Sequence, residues 1–150
     1  RRQTMAWPRF KTKSNANDTA QHGGPSTKAV GDAAENAALA HLQAAGLRLV
    51  ARNFRTPGRG GGEIDLIMRE RDGTLVFVEV RRRASASHGG AAASVGATKQ
   101  RRIVWAARYF LLHCTTTPPC RFDAVLLQGR LGDPSCTVTW VPGAFDASWA

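Results

Sequence analysis

The chain has 150 residues, which is enough for one domain with a substantial hydrophobic core. Hydrophobic residues make up 43% and charged residues 21%, a balance that argues against wholesale disorder. No apolar run is long enough to suggest a membrane span. The chain has 21 lysines and arginines against 11 acids, a formal charge of +10. This excess predicts a polyanionic partner, with nucleic acid as the first candidate and an anionic membrane surface as the second.

Residues 1–29 form a basic segment with six Lys or Arg and a single acid, Asp18. The segment is rich in Asn, Thr, Ser and Gly and shows no periodicity, so we predict a disordered tail before a domain at residues 30–150. The tail is either a solvating extension or a nucleic-acid-binding arm. It has no apolar stretch typical of a secretion signal, and the three cysteines lack metal-site spacing, so reduced thiols and a cytoplasmic location are expected.

The first half of the domain predicts a helix, a strand and a loop. Residues 30–46 are Ala-rich and end at a glycine, so they predict a helix capped by Asp32. Residues 47–55 predict a strand. Residues 57–62 contain one proline and four glycines, which indicates a flexible loop, and Arg59 in this loop is a candidate for nucleic-acid binding.

The second half predicts a hairpin, a helix and two further strands. Residues 63–70 and 74–81 alternate in polarity around a turn signal, and residues 82–93 indicate a mobile loop. A helix capped by Ser94 extends to about Leu112, and strands follow at residues 122–128 and 137–141. We therefore predict an α/β fold, a mixed central sheet of about five strands flanked by helices.

The hairpin loop decides whether two acids meet. A two-residue loop would pair Asp65 with Val80 and place Asp65 and Glu79 on opposite faces. A three-residue loop at residues 71–73, with Gly73 in the left-handed place, pairs Asp65 directly with Glu79. The hydrophobic pattern selects the three-residue loop because it puts the apolar residues of both strands on one face: Ile64, Leu66, Met68, Val76, Val78 and Val80.

In that register Asp65 and Glu79 are cross-strand neighbours, with Cβ atoms roughly 4.5–5.5 Å apart. Like charges at this distance are unfavourable, and a divalent cation such as Mg²⁺ or Mn²⁺ would compensate them. The alternative is a solvent-facing strand with no ligand. Glu35 shares a helix stripe with Leu39 and Leu42, and it is either a capping-box partner of Asp32 or a further ligand facing the sheet.

Basic residues surround the predicted acidic pair. Arg81 shares the face of Glu79 and would lie opposite Glu63, either as a cross-strand ion pair or as a cation that positions a phosphate. The second long helix carries several bases with Trp105 among them, which is a solvated face or a phosphate-binding surface. The candidate nucleic-acid contacts are Arg59, Arg81, Arg82, Arg83, Lys99, Arg101 and Arg102.

The sequence also resembles a known family, through Glu35, the run Gly62-Glu63-Ile64-Asp65 and the run Glu79-Val80-Arg81. This constellation is similar to the PD-(D/E)XK nuclease pattern. Further runs resemble the UPF0102 (YraN-like) family, whose fold is similar to that of archaeal Holliday junction resolvases: Gly31-Asp32-Ala33, Arg52-Asn53-Phe54, residues 89–95, Lys99-Gln100, Arg121-Phe122-Asp123 and Ala144-Phe145.

The resemblance implies a restriction-endonuclease-like core with Asp65 and Glu79 as Mg²⁺ ligands and Glu35 as an accessory acid. It implies metal-dependent phosphodiester hydrolysis. It also suggests a homodimer, although no self-complementary surface is evident. The last motif position is commonly Lys, but Arg81 occupies it here. Because Arg cannot serve as a general base, Lys99 is a candidate for a migrated lysine.

Three functions therefore stay open at this point. The leading hypothesis is a metal-dependent endonuclease that acts on DNA, including branched or repair intermediates. The second is a catalytically inactive nucleic-acid-binding protein on a nuclease scaffold. The third is an interaction protein whose basic surface meets an acidic partner or a membrane.

Overall fold

The computed structural model describes Gly24, residues 26–83 and residues 95–147. The predicted order of helix, three strands, helix and two strands is confirmed in these residues. The predicted disorder before residue 24 and the predicted mobile loop at residues 84–93 fall outside them. The elements are α1 (Thr27–Ala44), β1 (Arg48–Arg55), β2 (Glu63–Arg69), β3 (Leu75–Arg83), α2 (Ala97–Leu111), β4 (Cys120–Gln128) and β5 (Thr137–Phe145).

The described strands form one mixed sheet in the order β1-β2-β3-β4-β5. Only β3 and β4 are parallel, and the connection between them runs through α2, as a parallel crossover requires. The other neighbouring strands are antiparallel. The predicted α/β fold with a mixed five-stranded sheet is therefore confirmed. No helix in the described part of the chain is long and apolar enough to cross a membrane.

Each helix covers one face of the sheet. On α1 the buried residues Ala34, Ala38 and Leu42 follow helical spacing and pack against Leu66, Val78 and other apolar residues of the central strands. On α2, Phe110 contacts Phe77 edge to face, at 6.2 Å between ring centroids. The central strands are thus buried on both faces, which explains their nearly continuous apolar sequence.

The hairpin between β2 and β3 has the predicted register. The Glu70 N–H donates to the Thr74 carbonyl at 2.9 Å, and the Gly73 N–H donates to the Glu70 carbonyl at 3.0 Å. Gly73 has φ +94°, the left-handed conformation expected at the end of a three-residue loop. Leu66 then pairs with Val78, so the same register brings Asp65 beside Glu79.

The strict alternation predicted for β2 is wrong at one residue. Ile64 packs into the α2-side core with Phe54, its partner on β1, and not with Leu66 and Met68 on the α1 side. The paired ladder between β2 and β3 ends at Leu66, and beyond it the strands separate. Beyond this point the side chains of β2 need not alternate between the two faces of the sheet, and this is where the two acids lie.

Both predicted helix caps differ from the structure. Helix α1 begins at Thr27, inside the segment assigned to the tail, and its N-cap is Ser26, whose Oγ accepts from the Ala29 N–H at 3.1 Å. Asp32 is therefore an exposed residue inside the helix, and the capping-box interpretation of Glu35 is wrong. The N-cap residue of α2 is Gly96, which offers no side-chain cap, and not the predicted Ser94.

The boundary after β3 also differs from the prediction. Arg82 and Arg83 were assigned to the loop after the hairpin, but both lie in β3 and pair with β4. The parallel neighbour extends β3, because it supplies backbone partners that cannot be inferred from the hairpin alone. These two bases are therefore held by the sheet.

Candidate active site

Asp65 and Glu79 meet where the β2–β3 ladder ends. The Val80 N–H, the next donor beyond the last pair, bonds to Oδ2 of Asp65 at 2.8 Å. The two carboxyl groups also share a hydrogen bond. The side chain of Glu79 is only 4% exposed, so the alternative of a solvent-facing strand is wrong for this residue.

The electrostatics of this pair are unfavourable for two full negative charges. Burial raises the pKa of Glu79 to about 7, and the charge of Asp65 adds to the effect. Burial also raises the pKa of Asp65, against the opposing effects of the Val80 and Glu79 hydrogen bonds. A proton or a cation therefore stabilises the pair, as expected for carboxylates that share one site.

Lys99 completes this cluster from α2. Its Nζ lies 2.7 Å from Oε1 of Glu79. Burial lowers the pKa of Lys99, but the hydrogen bond to Glu79 and the acidic charges outweigh it, so the pKa lies above its ordinary value. A small cavity of about 150 Å³ lies among these groups, lined by Glu63, Asp65, Glu79, Lys99, Arg102 and Ile103.

Gly62 explains how α2 comes so close to the acidic strands. A Cβ at this position would overlap the carbonyl oxygen of Arg102 and lie 2.9 Å from the Cβ of Ala106. The Gly62 N–H is fixed by Oγ1 of the buried Thr56 at 2.7 Å. The glycine at the start of β2 therefore sets the approach of the helix that carries Lys99.

Glu35 lies near Asp65 on the α1 side. Burial and, next in size, the charge of Asp65 raise the pKa of Glu35 to about 7. Arg52 lies 3.8 Å from Oε1 of Glu35 and lowers this pKa, as does a hydrogen bond from Asn53. In the described residues, Oε1 of Glu35 and Nε of Arg52 are buried without a hydrogen-bond partner.

Arg52 and Asn53 were not among the predicted site residues. Asn53 has φ +48°, a left-handed conformation that non-glycine residues seldom adopt and that asparagine tolerates best. Both side chains interact with Glu35 on α1. The only signal in the sequence was the run Arg52-Asn53-Phe54, which carried no chemical reason to assign a role.

The other predicted cations fall in different places. Arg81 is half-buried on β3 and pairs with Leu126, and it does not line the cavity between Asp65 and Lys99. Glu63, its predicted cross-strand partner, forms an ion pair with Arg55 at 3.2 Å. The structure thus brings Lys99 and Arg102 to the acidic pair, while Arg59, Arg82 and Arg101 are exposed and Arg83 is half-buried.

The acids fit a magnesium ion only in part. Across residues 26–83 and 95–147, no group of three or more His, Cys, Asp or Glu side chains is arranged to hold a metal ion. Glu35 therefore does not join Asp65 and Glu79 in a three-carboxylate set. The pair alone still suits Mg²⁺, which usually takes one or two carboxylates and completes its shell with waters and substrate phosphate.

Asp123 on β4 is buried like Glu79, but its surroundings satisfy its charge. Its oxygens accept from Nε1 of Trp140 at 2.9 Å, the Gly143 N–H at 2.9 Å and Nε of Arg121 at 3.0 Å. Every interaction here neutralises or satisfies the carboxylate, and together they tie β5 to β4 at its bulge. This contrast sets the like-charged pair at Asp65 and Glu79 apart as the functional candidate.

The fold and the site together define an α/β protein with a buried carboxylate pair and a lysine at the end of a central hairpin. This arrangement is consistent with a restriction-endonuclease-like core. The family profile described as "Uncharacterised protein family UPF0102" matches residues 34–127. The chain belongs to the UPF0102 family.

Curated relatives agree with this assignment. A UPF0102 protein from Paracidovorax citrulli is 68% identical over 121 residues, which cover 81% of this chain and 85% of the relative. One from Polaromonas naphthalenivorans is 63% identical over 125 residues, 81% of this chain and 82% of the relative. One from Albidiferax ferrireducens is 56% identical over 143 residues, 95% of this chain and 99% of the relative.

Proposed function

We propose that this protein is a metal-dependent endonuclease that hydrolyses phosphodiester bonds in DNA, including branched or repair intermediates. The observation that carries the proposal is the buried contact between Asp65 and Glu79, with Lys99 at 2.7 Å from Glu79. Two carboxylates and a protonated amine beside a cavity are the groups that metal-assisted phosphate chemistry requires.

Asp65 and Glu79 would hold Mg²⁺ or Mn²⁺. When bound, the metal supplies a Lewis acid for the phosphate oxygens and lowers the pKa of a coordinated water. The chain holds these two acids ready on neighbouring strands. The hydrogen bond from the Val80 N–H fixes Oδ2 of Asp65, and burial under α2 fixes Glu79. Such preorganisation reduces the cost of assembling the site on substrate binding.

Lys99 takes the cationic role that the motif commonly gives to the position of Arg81. Since the pKa of Lys99 lies above its ordinary value, the amine stays protonated at neutral pH and does not act as a general base. It offsets part of the negative charge of Glu79 and can donate to a phosphate oxygen or orient a water. Arg81 would contact the DNA backbone at the end of β3.

Glu35 is suited to accept a proton near neutral pH. A pKa of about 7 leaves the carboxyl group divided between its two forms, which is the best range for transfer in either direction. Its buried Oε1 has no hydrogen-bond partner in the described residues, so it is available to a water. We therefore assign Glu35 as an accessory acid–base group beside the pair, without a ligand role.

Arginines around the cavity would hold the DNA backbone. Arg102 lines the cavity itself, and Arg101 is exposed one position before it on α2. Arg82 and Arg83 continue β3 beyond Glu79, and Arg59 is exposed in the loop before β2. These guanidinium groups would neutralise phosphates and place the scissile bond near the acids, so binding should weaken as salt increases.

The proposal is tested by incubating the full chain with labelled single-stranded, duplex and branched DNA in Mg²⁺ or Mn²⁺. Wild type is expected to cut at least one substrate, and Asp65→Ala is expected to abolish cutting. Asp72→Asn is the matched control, because this exposed acid lies in the turn at the far end of the same hairpin. Cleavage by the Asp65→Ala variant would contradict the assignment of Asp65 to the active site.

A non-catalytic nucleic-acid-binding protein is the second candidate. The observation that favours it is Arg81, which stands at a motif position that is commonly Lys and does not line the cavity. This candidate predicts salt-sensitive DNA binding that is the same with and without Mg²⁺, and no turnover on any of the substrates.

A further inference from the structure

One side of α2 exposes an aromatic ring among arginines. Trp105 is 60% exposed, far more than a large apolar residue usually is. Arg101 lies four positions before it and Arg108 three positions after it, so both are its neighbours on the helix surface. Arg102, three positions before Trp105 on the helix, also lines the cavity. We name these four residues, Arg101, Arg102, Trp105 and Arg108, the Trp105 face.

The charge of α2 restricts what can cover the Trp105 face. The helix carries four bases and no acid, and Arg101, Arg102 and Arg108 are all exposed. A second copy of the same face would bring like charges together, which costs association energy. A polyanion instead complements the arginines. An anion whose flat aromatic groups alternate with its charges matches both the ring and the guanidinium groups, and nucleic acid is such a polymer.

The Trp105 face is continuous with the candidate active site. Lys99 and Arg102 line the cavity of Asp65 and Glu79, and both belong to the same helix as Trp105. Trp105 lies six positions after Lys99, which corresponds to about 9 Å along the helix axis. One continuous strand that enters the cavity can therefore also reach Trp105.

We propose that the Trp105 face binds an unpaired nucleotide, whose base stacks on Trp105 while Arg101 and Arg108 hold the flanking phosphates. A paired base cannot present its face in this way, because its neighbours in the duplex cover it. The inference rests on the proposed function and narrows its substrate class to DNA with a single-stranded segment close to the scissile phosphate.

The test removes the base from the DNA and, separately, the aromatic ring from the protein. Fluorescence anisotropy in EDTA measures binding of labelled oligo(dT) and of the same oligonucleotide with abasic sites, to wild type, Trp105→Ala and Trp105→Phe. Wild type should bind oligo(dT) about tenfold more tightly than the abasic form. Trp105→Ala should bind both alike, and Trp105→Phe should recover most of the preference.

Leu112→Ala is the matched control, since Leu112 is 80% exposed just beyond α2 and offers apolar surface without a ring. It should keep the wild-type preference. The inference is overturned if Trp105→Ala keeps that preference, or if light scattering shows that Trp105→Ala turns a dimer into a monomer. Because EDTA prevents cleavage, the binding result is obtained separately from the nuclease assay, so a failure of the Trp105 contact is distinguishable from a failure of the proposed function.

Discussion

The amine of Lys99 lies 2.7 Å from Oε1 of Glu79 and joins α2 to β3 at the candidate active site. The lysine side chain is 57% exposed, whereas that of Glu79 is 4% exposed, so the contact links the cavity to solvent. It partly offsets the cost of burying Glu79 beside Asp65. The same contact gives the site a protonated donor at the place where a phosphate would enter.

Replacing Lys99 should impair chemistry more than DNA binding. Lys99→Ala removes one donor from a group of several bases, and such a loss typically lowers the rate by about a hundredfold. Lys99→Arg keeps a charge and should recover part of the rate. Single-turnover cleavage with saturating DNA measures the effect, and an undiminished rate in Lys99→Ala would contradict the assigned role.

The stability of the protein should fall as pH rises from about 5 to about 8 without added metal. The pKa of Glu79 in the folded chain is about 7, above its ordinary value of 4.5. A raised folded pKa stabilises the fold below the unfolded pKa, and the stabilisation disappears as pH passes the folded pKa. The contribution of Glu79 alone is about 3 kcal/mol. Thermal unfolding across this pH range measures it.

Two controls make the pH prediction specific. Glu79→Gln stays uncharged, and its melting temperature should fall less than that of wild type, although Glu35 has a similarly raised pKa and contributes in the same direction. Mg²⁺ should raise the melting temperature of wild type more at high pH than at low pH, because the deprotonated pair binds it. A melting temperature that rises between about pH 5 and about pH 8 would contradict the description of the pair.

The hairpin register was predictable because two local signals agree. Apolar residues of β2 and β3 share a face only with a three-residue loop, and Gly73 suits its last position. The proximity of Asp65 and Glu79 followed from this register. The meeting of Glu79 with Lys99 did not, because it depends on how α2 packs across the sheet, which is a long-range contact without a local pattern.

Two other differences between prediction and structure concern the cap of α1 and the conformation of Asn53. Ser26 and Asp32 are both good N-cap residues, and the sequence alone gave no reason to prefer the earlier one. The left-handed Asn53 that turns a polar side chain toward Glu35 is rare enough that no propensity predicts it. The two central acids were therefore predictable from the sequence. The contacts of Arg52 and Asn53 with Glu35, and the close approach of α2 at Gly62, required the packed structure.

Substituting Gly62 should damage the site through the helix. In Gly62→Ala the new Cβ overlaps the Arg102 carbonyl, so α2 must move away and carry Lys99 from Glu79. Overpacking of this kind usually costs about 1–3 kcal/mol, and we expect cleavage to fall with stability. Chemical denaturation and the cleavage assay measure the two effects together.

Gly31→Ala is the matched control for this prediction. Gly31 lies on α1 with open space around its Cβ position, so alanine should raise stability by roughly 0.5–1 kcal/mol and leave cleavage unchanged. Equal effects of the two substitutions would show that the close approach of α2 at Gly62 does not position Lys99.

The most direct test of the central claim is a calorimetric titration of Mn²⁺ into the full chain near pH 8, where the acids are ionised. We expect saturable binding to one class of site in wild type, and its loss in both Asp65→Ala and Glu79→Ala. Asp72→Asn, at the far end of the hairpin, should bind as wild type does. Binding that is unchanged in the Asp65 and Glu79 variants, or that is absent from the wild type, would contradict the claim that these two acids form a metal site.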